Sequence, residues 1–136
     1  MLEVVHLTYV TVKQVLMREE LVSRRIGDIV VMSLYGVCSS SVLGELEIKC
    51  REESIRQTKH ILIDCAYITS LHPDALRSLR SRTSEADKAG INLVLYQVQP
   101  HHAEQLKQTG LDALLHIKKD FQDAYLHCKA IEAASG

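Results

Sequence analysis

Apolar and polar positions in this chain repeat with two periods, and the switches between them predict its elements. Val4 to Val12 is rich in β-branched residues and carries Tyr9, which predicts a strand. Lys13 to Arg25 is charged, with apolar positions at Val15, Leu16 and Leu21, and reads as a short helix or an irregular connection. Gly27-Asp28 is a turn signal, and Ile29 to Leu34 is an apolar run of strand length followed by Gly36. Ser39, Ser40 and Ser41 can cap the helix expected next, with Leu43, Leu46, Cys50 and Ile55 on its apolar side. The polar stretch from Arg51 to Lys59 ends it.

Ile61 to Ile63 predicts a short buried strand that stops at Asp64. A helix is expected from about Asp74 to Ala89, with Leu76, Leu79, Thr83, Ala86 and Gly90 near one face. Ile91 to Val98 reads as a strand. Pro100 opens a helix through Thr109 with Ala103 and Leu106 inward, and Leu114 to Ile117 reads as a short strand. Asp120 caps a last helix bearing Phe121, Ala124, Tyr125, Cys128 and Ile131.

Strands alternating with helices imply an α/β fold whose later strands run parallel. Two strands come first with little chain between them, so the expected mixed sheet begins with an antiparallel edge pair. Parallel βα units follow, flanked by about four helices. The 136 residues fit one domain, 1–136, with 1–27 as an N-terminal strand and connection.

Composition narrows the function classes. A formal net charge of −1 argues against a general polyanion partner, and five Tyr, one Phe and no Trp are a poor stock for stacking bases. No nucleic-acid partner is expected. No run approaches the roughly 18 apolar residues of a bilayer span, and the start MLEVVHLTYV lacks the pattern of a signal peptide, so no direct membrane insertion is expected. Cys38, Cys50, Cys65 and Cys128 form no CxxC pair, which favours a reducing, cytoplasmic setting.

Candidate chemistry is sparse. His101-His102 are adjacent and so do not face each other on a helix, and His116 and His127 fall in other elements. No HExxH or Cys/His ligand spacing is present, so no metal site is expected. Ser39 to Ser41 lack the setting of a nucleophile elbow. The loop Asp64-Cys65 with His72 is the one place for a small enzyme site. It reads better as a structural carboxylate beside a semi-buried thiol, because a reactive Cys needs a base and an electropositive setting.

Four stretches, in order, resemble the STAS family, the domain shared by sulfate transporters and anti-sigma-factor antagonists. They are Ile61-Leu62-Ile63-Asp64 with the turn Ser70-Leu71-His72-Pro73-Asp74-Ala75-Leu76, then Lys88-Ala89-Gly90 before Ile91 to Leu95, then Pro100 with Thr109-Gly110-Leu111, and finally Phe121-Gln122-Asp123-Ala124. The resemblance extends from about residue 28 to 129. It implies a STAS-like fold and a non-enzymatic, regulatory protein-interaction module. In the family's anti-sigma antagonists the turn carries a hydroxyl that is phosphorylated. Here that position is Asp74, which has no hydroxyl, so the phosphorylation switch is not expected.

Two readings of the departure stand side by side. Pro73 suits the first helical position and Asp74 favours the helix dipole, so the pair starts a helix well. Alternatively Asp74 partly imitates a permanently phosphorylated residue. Either way, Ser70, His72, Pro73, Asp74 and Ala75 are expected at the C-terminal ends of the strands, where partners meet open α/β sheets. Arg77 and Arg80 make the adjoining helix basic, either as an ordinary solvated face or to dock an acidic surface. The implied partner is a protein, either an anti-sigma-like kinase or a transporter or cytosolic regulator. The alternative to a free-standing regulator is the cytosolic domain of a sulfate or anion transporter. No cofactor is expected; some members of the family bind nucleotides, which leaves weak nucleotide binding open.

Overall fold

A computed structural model describes residues 20–55 and 58–135. The predicted strand at 4–12 lies outside these residues. The elements run β1 (Glu20–Ile26), β2 (Ile29–Cys38), α1 (Ser40–Ile55), β3 (His60–Leu71), α2 (Pro73–Lys88), β4 (Asn92–Tyr96), α3 (Pro100–Gln108), a 3-10 turn (Leu111–Ala113), β5 (His116–Lys118) and α4 (Phe121–Ser135). The strands lie in sequence order. β1 is antiparallel to β2, and every later neighbour is parallel. The expected fold class is therefore present.

The edge pair uses a different first strand from the one predicted. Residues 20–25, the end of the stretch read as helix or irregular connection, are extended together with Ile26. Only Leu21 among them packs against the core, so the strand has little apolar signal to show. Its register is set by Gly27, whose φ of +62° meets the need of a two-residue hairpin turn between Ile26 and Ile29.

Alternation along the strands divides the interior in two. Val30, Met32 and Leu34 of β2, Ile61 and Ile63 of β3, and Leu93 and Leu95 of β4 face α1, α2 and α3. Ile29 and Val31, Leu62, and Val94 and Tyr96 face Ala124 and Cys128 of α4. Among the described residues one helix, α4, covers the second face. It leaves Val22, Ile26 and Tyr67 exposed there, and Tyr67 stacks on Tyr35 with ring centres 4.7 Å apart.

β3 is the largest departure from expectation. It runs for 12 residues, well past Asp64. Two register shifts against β2, between Ser33 and Tyr35 and between Gly36 and Val37, each place an extra residue on β3. These bulges break the two-residue period. β4 pairs only with His60 to Asp64, so the last seven residues of β3 have no strand on that side. The final strand is shifted to His116–Lys118 behind a 3-10 turn.

The smaller interior depends on few side chains. Leu62 is fully buried in it. Leu62→Ala is expected to destabilise the protein by about 2–5 kcal/mol, as buried Leu truncations do. Urea unfolding followed by circular dichroism measures this.

Candidate functional site

The candidate turn stands where β3 hands over to α2. The overhanging end of β3 is held by side chains in place of a strand. Gln99 Nε2 donates to the carbonyls of Ala66 (3.1 Å) and Ile68 (2.9 Å), and Gln105 Nε2 donates to that of Leu71 (3.3 Å). Asp64 serves the first bulge: its Oδ1 accepts the Ala66 N–H at 3.0 Å. The carboxylate read as structural has a defined task, and the two glutamines carry a role that their sequence positions did not signal.

The turn is then closed by one backbone bond, from His72 N–H to the Cys38 carbonyl at 3.0 Å. Pro73 occupies the first turn of α2 and Asp74 lies in that turn as well. The start of α1 arrives at the same place. The Ser40 hydroxyl, the Ala75 and Ser40 amides and the neighbouring His72 hold the Asp74 carboxyl below its ordinary pKa, the hydroxyl most strongly and against a smaller opposing effect of desolvation. Asp74 Oδ1 is buried and has no hydrogen-bond partner among the described residues. Two helix N-termini, both favouring negative charge, thus meet at one carboxylate.

The seven sequence-selected residues divide. His72 and Pro73 are exposed, Ser70 and Asp74 are half-buried, and Ser70 belongs to the strand rather than to a loop. Ala75 is fully buried, so it packs the core and is withdrawn as a contact residue. Arg77 and Arg80 are exposed on α2, and Arg80 Nη2 reaches the Thr109 carbonyl at 3.4 Å. Arg82, further along the same helix, is turned onto Glu85 at 2.9 Å.

The small-enzyme arrangement does not assemble. Cys65 points into the larger interior and is 4% exposed, and burial raises its thiol pKa strongly, with Cys38 and Asp64 adding to the rise. Asp64, the preceding residue on the strand, lines the opposite side of the sheet with Tyr67 and Tyr96. His72 is exposed beyond the strand end. A cavity of about 20 Å³ beside Cys65 has apolar walls apart from His102. Neither ring nitrogen of His102 has a partner among the described residues, and burial together with His101 lowers its pKa. A site of that size has room for about one water molecule.

These features define a class: a five-stranded mixed α/β domain that presents a turn and a helix start at the end of an overhanging strand. The chain belongs to the STAS domain family, whose family model matches residues 21–124. Solved structures share the fold. A variant of RsbS from Moorella thermoacetica is 17% identical, with a TM-score of 0.71 over 84% of this chain and 98% of that one. A sulfate transporter family protein from Wolinella succinogenes is 16% identical, with a TM-score of 0.69 over 81% and 92%. An anti-sigma factor antagonist from Mycobacterium paratuberculosis is 17% identical, with a TM-score of 0.66 over 81% and 93%. Comparison with curated protein sequences gives no match. The family's fold is in general a non-enzymatic one of regulation and interaction. No helix among the described residues is long and apolar enough to cross a membrane.

Two outcomes test the turn. Gln99→Leu strips two carbonyls of their donor and should cost about 1–3 kcal/mol in urea unfolding. It should also speed amide exchange selectively between Ala66 and Leu71. Asp74 has a folded-state pKa below the usual 3.8, so its stabilising effect is present above that value and is lost as pH falls through the lowered one. The stability difference between wild type and Asp74→Asn should therefore be constant at neutral pH and shrink in acid below the usual carboxyl pKa.

Proposed function

We propose that this protein is a protein-docking regulator whose contact face is the turn from Ser70 to Asp74 together with Arg77 and Arg80 of α2. The observation that carries this reading is the tie between the two helix starts at Asp74. It fixes a surface made of His72, Pro73 and the basic side of α2. A partner with an acidic surface fits the two arginines. Rim charges of this kind set association rate and partner choice more than affinity.

Asp74 gives the regulator a fixed state. Its low pKa keeps one negative charge at physiological pH. A phosphoserine would carry roughly −1.5 to −2, so the imitation is partial. A kinase that acts on hydroxyls has no acceptor at this position, so control acts through the amount or location of the protein or through its partner. An anti-sigma-like kinase partner is thus read as a bound target rather than as an enzyme acting on this turn.

The similarity to the Wolinella protein favours a second reading, in which the same face docks a cytosolic regulator onto a sulfate or anion transporter. The gene sequence upstream of Met1 separates the readings: a multi-span hydrophobic region there supports the transporter, and its absence supports the free-standing regulator. Both readings are cytoplasmic and non-catalytic, and neither requires a cofactor.

The docking face is tested by affinity capture from the native host with the wild type beside an Arg77→Glu/Arg80→Glu variant. One partner retained by wild type and lost by the folded variant supports the assignment. Retention of every partner moves the interface elsewhere. Asp74→Ser should change the affinity for that purified partner at least several-fold, and an unchanged affinity would remove Asp74 from the contact.

A further inference from the structure

At the end of the sheet opposite the turn, three elements bring together side chains that the docking function leaves unused. Asp28 sits in the β1–β2 hairpin, His60 opens β3, and Glu132 lies near the C-terminal end of α4. One ligand atom from each lies within 4.8 Å of the others. His60 Nε2 and Glu132 Oε1 are 3.1 Å apart, a separation that suits two ligands each about 2.0–2.2 Å from one ion. We propose that Asp28, His60 and Glu132 bind one divalent first-row transition cation of the zinc type, fastening α4 to the sheet.

The set is built rather than incidental. The imidazole of His60 is almost wholly buried, and its backbone is fixed because the Asp28 carbonyl accepts the N–H groups of Lys59 (3.0 Å) and His60 (3.4 Å). Asn92, opposite His60 in the register, holds the far ring nitrogen: its side-chain nitrogen is 3.3 Å from Nδ1. A metal-bound imidazole is oriented in this way by a partner on its other nitrogen. With an ion on Nε2, the ring proton belongs on Nδ1 and the Asn92 amide presents its oxygen, a half-turn that preserves its shape.

Charge supplies the second reason. Asp28 and Glu132 bring two carboxylates to the buried ring of His60, with one ligand atom of each within 4.8 Å of the others. Two carboxylates that close repel one another, and a cation between them relieves that repulsion. Lys129 reaches Glu132 Oε2, at 3.2 Å, leaving Oε1 to His60. One nitrogen and two carboxylate oxygens suit zinc, with water completing the shell. A recess of about 490 Å³ opens onto Asp28, His60 and Glu132 and gives room for that water. The three ligands stand at 28, 60 and 132, so no local spacing motif announces them.

Titration of reduced, chelator-stripped full-length protein with zinc chloride tests the site by calorimetry and thermal unfolding at pH 7.5. The expected result is one ion per chain and a raised Tm. Asp28→Asn and Glu132→Gln should each weaken the Kd at least tenfold and lose the rise in Tm. Both are near-isosteric and leave the backbone bonds of Asp28 in place, and circular dichroism checks that they fold. The double variant His116→Ala/His127→Ala removes the competing ring pair, whose centres are 5.1 Å apart, and should bind as wild type does. The proposal is overturned if wild type takes up no zinc, if folded Asp28→Asn and Glu132→Gln bind normally, or if only the double variant loses binding.

Discussion

β3 outruns its neighbour, and the rest of the site depends on how that excess is held. β4 ends opposite Asp64, while β3 continues to Leu71. A strand without a neighbour exposes a row of backbone groups that bind water or another chain unless something else occupies them. In this fold Gln99 and Gln105 take three of those carbonyls, and Asp64 takes an amide freed by the first bulge. Both glutamines stand on or beside α3. The helix that packs on the larger core also delivers the polar groups that finish the sheet.

That arrangement explains why the turn can be both exposed and fixed. His72 is tied to the end of β2 through the Cys38 carbonyl, and α2 begins at once with Pro73. The starts of α1 and α2 then face one carboxylate. Each N-terminus contributes amides that lack intrahelical acceptors, and a negative charge between them satisfies both. Moving the turn would mean breaking a contact with the sheet, one with α1 and those with α3. A surface supported from three sides loses little freedom on binding, which is the cost that most weakens small interfaces.

Much of this was legible in the sequence, for reasons that differ by element. The helices at Pro73 and Pro100 were readable because proline and apolar spacing mark a start and a face. The parallel core strands were readable as apolar runs. The long end of β3 was not. Cys65 and Ile68 both face inward, three residues apart, because a bulge inserts a residue between them, and no two-residue period survives that step. β1 was missed because an edge strand with one core contact has no apolar pattern to display. The position of Asp74 was readable from its neighbours along the chain. Its tie to Ser40 was not, since β3 separates the two helices along the chain and only the folded sheet brings their starts together.

The substitution at 74 therefore changes what the turn can do more than how it is built. A hydroxyl at this point would be neutral until modified and would then place two charges between two positive helix ends. A carboxylate places one there permanently, and those same helix ends make it harder to protonate. The start of α2 is thus built around a charge that is already in place. Among the described residues α4 is the helix that packs on the opposite face, and its C-terminal end meets the start of β3 rather than the turn.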